Sequence, residues 1–288
     1  MVRISRQLKI NRFFGITVLS ILLFSACTER MDIELDSTQK RCIIFGQLTT
    51  DTTAHKVTIT SSGDYFTDLP PQGISGADVT ISDGENEFIL TEHPQEPGVY
   101  YTDSSVYGVP GNTYTLYVDN VDLLNDGNTT SYEATSELLP VTTADSIKVM
   151  YRPDWQGWAL LAYAQDPPET RDFYKFLIYK NGELYTDSLR NINYTDDTFF
   201  DGNYTNGVVL YFFNDNNAIS PGDTITAAFC GITQDYYKYL IEARVTTNPS
   251  LPLFSGPPAN PRSNFTNDAL GYFTAYSISK ASTVIEQD

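Results

Sequence analysis

Histidine is almost missing from this chain. Its 288 residues hold two, His55 and His93. Neither has a cysteine or a second histidine at ligand spacing, which argues against a zinc centre. Both read as exposed loop residues. No G-x-S-x-G elbow is present, so the usual sequence sign of a serine hydrolase is missing. A catalytic triad converges in space rather than along the chain, so spacing alone does not exclude one. Positive charge is scarce too: 18 Lys and Arg stand against 36 Asp and Glu, for a net charge of −18. Such a surface repels phosphate backbones and argues against nucleic-acid binding. It also opposes lying flat on an anionic membrane. Long apolar runs are missing as well. Residues 13–24, FFGITVLSILLF, would span ~18 Å as a helix, too short for a bilayer core of ~30 Å. Cysteine occurs three times, at Cys27, Cys42 and Cys230.

Aromatic residues are plentiful: 20 Tyr and 16 Phe, in a chain that is 41% hydrophobic. Rings and β-branched side chains favour strands, where they lie across neighbouring residues. The length suffices for one large or two ordinary domains.

Residues 1–12 are basic, with Arg3, Arg6, Lys9 and Arg12. The short apolar run follows, then the small residues Ser25 and Ala26. This is the layout of a secretory signal peptide over 1–26. Ending directly before Cys27, it resembles a bacterial lipobox. The resemblance implies cleavage between Ala26 and Cys27, with lipid on the Cys27 sulfur and its new amino terminus. Several acyl chains anchor a protein stably, at ~0.8 kcal/mol per buried CH₂. Cys27 is therefore read as an anchor to the membrane, not as a catalyst. Residues 27–40 continue with Glu29, Asp32, Glu34 and Asp36, a solvated acidic tether. That stretch resembles the acidic signal that sends lipoproteins of Bacteroidetes to the outer face of the outer membrane.

The body reads as mainly β. RCIIFGQLTTDTTAHKVTIT (41–60) holds two β-branched runs around a Thr/Asp-rich turn, a hairpin or two strands of one sheet. In VPGNTYTLYV, Tyr114, Leu116 and Val118 take one face and Thr115, Tyr117 and Asp119 the other. Turn signals recur at short spacing, the pattern of a β-sandwich over 41–139. GADVTISDG through GNTYTLYV resembles immunoglobulin-like and carboxypeptidase-regulatory-like sandwiches. PVTTADS, from Pro140, is the expected boundary to a second β-sandwich-like region over 140–288. There FYKFLIYKNGELY is a hairpin turning at Asn181-Gly182. VVLYFFN and DTITAAFCGI are further strands. One helix is expected near 234–246, with Tyr236, Tyr239, Leu240 and Ala243 at i, i+3, i+4 and i+7. In the Pro-rich tail, Phe254, Phe265, Tyr272 and Phe273 call for burial, which favours an ordered loop leading to a last strand.

GPPANPRSNF followed by ALGYFTAYS resembles the C-terminal signature of a family of Bacteroidetes outer-membrane lipoproteins known only as a domain of unknown function. The order of features agrees over the whole mature chain: lipobox, FGQLT, GADVTISDG, GVYYT, GNTYTLYV, DYYKYL and GYF. Such proteins are typically encoded beside TonB-dependent outer-membrane receptors. The resemblance implies an accessory part in nutrient uptake, with a receptor as partner, and carries no catalytic residue or cofactor.

Candidate sites remain. In NYTDDTFFDGNYTNG, Asp196, Asp197, Asp201 and Asn203 offer oxygens of the kind Ca²⁺ takes, or they simply build a turn. The EF-hand glutamate is missing. Trp155 and Trp158, three apart, either contact a ligand or partner or belong to the core. Cys42 and Cys230 either form a disulfide tying the two β regions or stay as two buried thiols. The expected function is a non-catalytic binding component at the cell surface. The alternatives are a structural or adhesive envelope protein, and a glycan- or peptide-cleaving hydrolase working with paired carboxylates.

Overall fold

The computed structural model describes residues 40–63, 70–168, 170–213, 219–247 and 260–286. The expected signal peptide, Cys27 as the expected lipidation site, the expected tether up to residue 39, and Phe254 lie outside the described residues.

Strands form where apolar and polar residues alternate. β1 (Cys42–Thr49) and β2 (Lys56–Ser61) pair antiparallel, the arrangement expected of 41–60. β3 (Gln72–Gly73), β4 (Asp78–Ser82), β5 (Glu87–Glu92), β6 (Val99–Tyr101), β7 (Thr113–Val121) and β8 (Thr130–Glu137) follow. Along β7, Tyr114, Leu116 and Val118 are buried while Thr115 and Tyr117 are not. The second region holds β9 (Ala144–Arg152), β10 (Gly157–Ala164), β11 (Phe173–Lys180), β12 (Glu183–Leu184), β13 (Asn193–Asp196), β14 (Val208–Phe213) and β15 (Thr224–Ile232). Helix α1 (Gln234–Thr247) and the long strand β16 (Leu270–Val284) complete it. The β11–β12 turn has Asn181 at φ 51° and Gly182 at φ 87°, the left-handed pair that a tight hairpin turn needs.

The fold is mainly β, consistent with a β-sandwich. A large sheet runs β12-β11-β15-β16-β1-β2-β6-β5-β4-β7-β8, and a small one runs β14-β10-β9. β16 joins the halves. It pairs parallel with β1 and antiparallel with β15. Phe265, Ala269, Phe273 and Ala275 pack into the same core as Ile44, Ile59, Ile81, Leu116 and Leu138. Segment 41–139 therefore does not complete its own core. A strand about 130 residues further along the chain finishes it, a pairing that no local pattern announces.

The other half is layered: small sheet, large sheet, helix. Period-two alternation builds it. On β15, Ile225, Ala227 and Phe229 face the small sheet, while Ala228, Cys230 and Ile232 face the helix. On β16, Phe273 and Ala275 turn to the first core, and Tyr272 and Tyr276 to the helix side. Helix α1 buries Tyr239, Leu240 and Ala243 against that side. Among the described residues no helix is long and apolar enough to cross a membrane.

Candidate ligand-binding cleft

The helix covers only part of the sheet face it packs on. Where its cover ends, a cleft of about 480 Å³ opens, lined from β1, β2, β16, α1 and the 189–192 loop. Alternation places the lining. On β1, Phe45 and Gln47 face outward while Ile44 and Leu48 face the core. The parallel register sets Phe45 beside Tyr272 and Gln47 beside Thr274. On the other flank, Phe45 stands opposite Thr58 of β2. Lys56, Leu189, Ile192, Tyr236, Tyr239 and Leu240 complete the walls.

Phe45 is 46% exposed, an unusual position for a phenylalanine in a central strand. Beside it, Tyr236, Tyr239 and Tyr272 form a cluster of rings with centroids 4.8 to 5.8 Å apart. Burial pushes the Tyr272 hydroxyl up to about 12, and those of Tyr236 and Tyr239 upward too. All three stay protonated and able to donate. Gln47 Oε1 accepts a hydrogen bond of 3.0 Å from the Tyr276 hydroxyl. Behind that tyrosine, Lys175 is buried with its Nζ 3.9 Å from the Tyr276 ring centroid and 5.3 Å from that of Tyr236. The rings hold the ammonium through their negative faces. Thr274 is 2% exposed, and its hydroxyl has no hydrogen-bond partner among the described residues. An unmet buried polar group costs about 1–3 kcal/mol, so this one stands out.

The loop wall is fastened from the helix. An Arg244 Nη2 hydrogen bond reaches the Ile192 carbonyl, and the guanidinium lies 4.2 Å from the Tyr194 ring centroid. A cation in the last helical turn also suits the helix dipole.

The Asp/Asn loop is brought together only in part. Asp197 and Asp201 meet Asp166, with one ligand atom from each within 4.8 Å of the others. Asp166 lies upstream of the loop, outside the stretch whose acids carry the sequence signal. Asp196 instead pairs with Arg171 at 3.2 Å. Asn203 Nδ2 donates to the Asp201 carbonyl. The buried carboxylates are engaged by the chain itself. Asp166 accepts from the Tyr174 hydroxyl at 2.8 Å and from Gly202 N at 3.2 Å, and Asp197 accepts from Asp172 N at 2.6 Å. Burial raises the Asp166 carboxyl above the ordinary range, although the Tyr174 bond opposes the shift. The cavity beside Asp166 is about 20 Å³, room for about one water and not for a glycosidic bond.

The two tryptophans separate. Trp155 sits on the β9–β10 turn, 56% exposed, edge-on to Phe212 at 4.6 Å with the Arg152 guanidinium 4.8 Å from its centroid. Trp158 is half-buried and meets Tyr151 edge-on at 5.4 Å. Neither lines the helix-side cleft. Its aromatic residues come from FGQLT, DYYKYL and GYF, stretches whose local pattern marks strand and helix but no site.

The histidines correct an expectation. His55 is 3% exposed, with its Nε2 3.2 Å from the Val106 carbonyl. Burial lowers its pKa, so the ring is neutral. It pins the 102–106 turn to the β1–β2 loop, aided by Thr102 N donating to the His55 carbonyl. His93 is half-buried, edge-on to Tyr101. Cys42 and Cys230 are both free and buried. They sit in different clusters, Cys42 in the first core and Cys230 beneath the helix.

A model for a protein family, described as Domain of unknown function (DUF4249), matches residues 28–282. No curated protein matches the chain.

Proposed function

The chain belongs to the DUF4249 family, and on that premise we propose that it is a surface-exposed lipoprotein of the outer membrane. It is a non-catalytic binding component that works beside a TonB-dependent receptor. Lipid at Cys27 holds it, and the acidic stretch 27–40 sets the body off the membrane. The cleft beside α1 receives the ligand. The observation that carries the reading is the cleft's lining: rings, aliphatic side chains, hydroxyls, one amide and one ammonium. Binding sites are mostly apolar with a few placed polar groups, as here. Among the described residues of the lining there is no pair of carboxylates or nucleophile–base couple.

The test is affinity purification of the tagged chain from solubilised outer membranes, with mass spectrometry of what co-elutes. A TonB-dependent receptor recovered in near-equal amount supports the reading; its consistent absence contradicts it. One observation favours a second, structural or adhesive reading: the exposed Trp155–Phe212 pair is the kind of aromatic contact that anchors a protein partner. Under that reading a different envelope protein co-elutes, and Trp155→Ala removes it.

A further inference from the structure

Taking the helix-side cleft as the binding site, which rests on the preceding proposal, we infer the class of its ligand: a ring compound that carries a carboxylate. The chain has 36 acidic residues, yet none stands among the described residues that line the cleft. The charged residue there is Lys56, which forms no ion pair with any described residue. In a molecule of net charge −18, that is a local inversion of sign. A cleft with low-dielectric walls concentrates such a field.

The neutral polar groups point the same way. Gln47 Oε1 accepts from the Tyr276 hydroxyl, which orients the amide and leaves its N–H groups able to donate. Thr274 lines the cleft, and its buried hydroxyl has no hydrogen-bond partner among the described residues. An ammonium, an amide N–H pair and a hydroxyl are a set of donors. A carboxylate accepts and does not donate, so it meets that set without an unpaired group. Phe45 supplies the flat surface, at 46% exposure, with Leu189 and Ile192 across the cleft. A ring laid on Phe45 would direct its carboxylate toward the Lys56–Gln47–Thr274 side. Both an acidic sugar and an aryl acid have this chemistry.

The test uses the full chain in detergent and three probes: galacturonate, 4-hydroxybenzoate, and galactose as the neutral counterpart. Binding is read by ligand-detected NMR and calorimetry. At least one acid is expected to bind about tenfold or more tightly than galactose, and which one does so separates the two sources. Lys56→Gln should erase that preference, a loss of about tenfold. Thr274→Val should weaken the acid by a smaller factor, and Ile89→Thr, outside the cleft, should change nothing. If Lys56→Gln does not fold, Lys56→Arg and a salt titration serve: affinity must survive the first and fall with added salt. Galactose binding as tightly as the acids, or affinity indifferent to Lys56 and salt, overturns the ligand class while leaving the cleft as the site. No saturable binding by any probe, with a receptor still co-purifying, overturns this inference and spares the wider proposal.

Discussion

At the residue scale, burial decides which groups are chemically alive. Burial pushes the Cys42 thiol up to about 12 and the Cys230 thiol up to about 11. Both are therefore thiols, not thiolates, at neutral pH. Neither should react with a thiol reagent until the chain unfolds, and denaturant should release both together. Fast labelling of the native protein would contradict this. Asp166 gives the pH prediction. Its folded carboxyl keeps its proton to higher pH than the unfolded one. The native state thus binds more protons in the window above the ordinary carboxylate range of about 4. Stability from this group is present below that range and is lost as pH rises through the folded value. Wild type minus Asp166→Asn should therefore decline in melting temperature with rising pH across that window. A difference that rises, or stays flat, refutes the assignment. Sequence spacing missed Asp166 and put His55 on the surface for one reason: whether a polar residue is buried depends on what folds over it, and neighbours along the chain do not say.

At the element scale, local rules worked where the signal is local. The Asn181-Gly182 turn, the alternation of β7 and the apolar stripe of α1 are all written in contiguous residues. The tail signature was recognisable as a motif, but only the structure gives its physics. In NPRSNF, Arg262 clamps Glu242 of the helix, with Nη2 at 2.6 Å and Nε at 3.0 Å. Two residues on, Asn264 donates to the Thr135 and Phe273 carbonyls and accepts from Phe273 N, tying β8 to β16. Asn264→Ala removes three hydrogen bonds. The expected loss is about 2 kcal/mol, or about 4–8 °C in melting temperature for a body of this size. The glycine of GYF is fixed more tightly. Gly271 has φ 96°, and a Cβ there would lie 2.0 Å from the Ile44 carbonyl oxygen. Gly271→Ala should cost more than the ~1–3 kcal/mol of a left-handed non-glycine residue, because β1 and β16 must also move apart. Thermal unfolding that matches wild type would show the pairing to be looser than described.

At the scale of the whole molecule, the two expected sandwiches share one sheet. Composition and alternation revealed the β class, but not that the last strand would serve both halves. The shared strand also builds the cleft: β16 brings Tyr272 and Thr274 beside Phe45 and Gln47, residues more than 220 positions away in the chain. The proposed role at the cell envelope depends on one modified cysteine, Cys27. Intact-mass analysis of the chain purified from its native envelope tests it most directly. The expected product begins at Cys27 and carries the added mass of acyl chains; a product that retains residues 1–26 with no acyl mass would contradict the attachment.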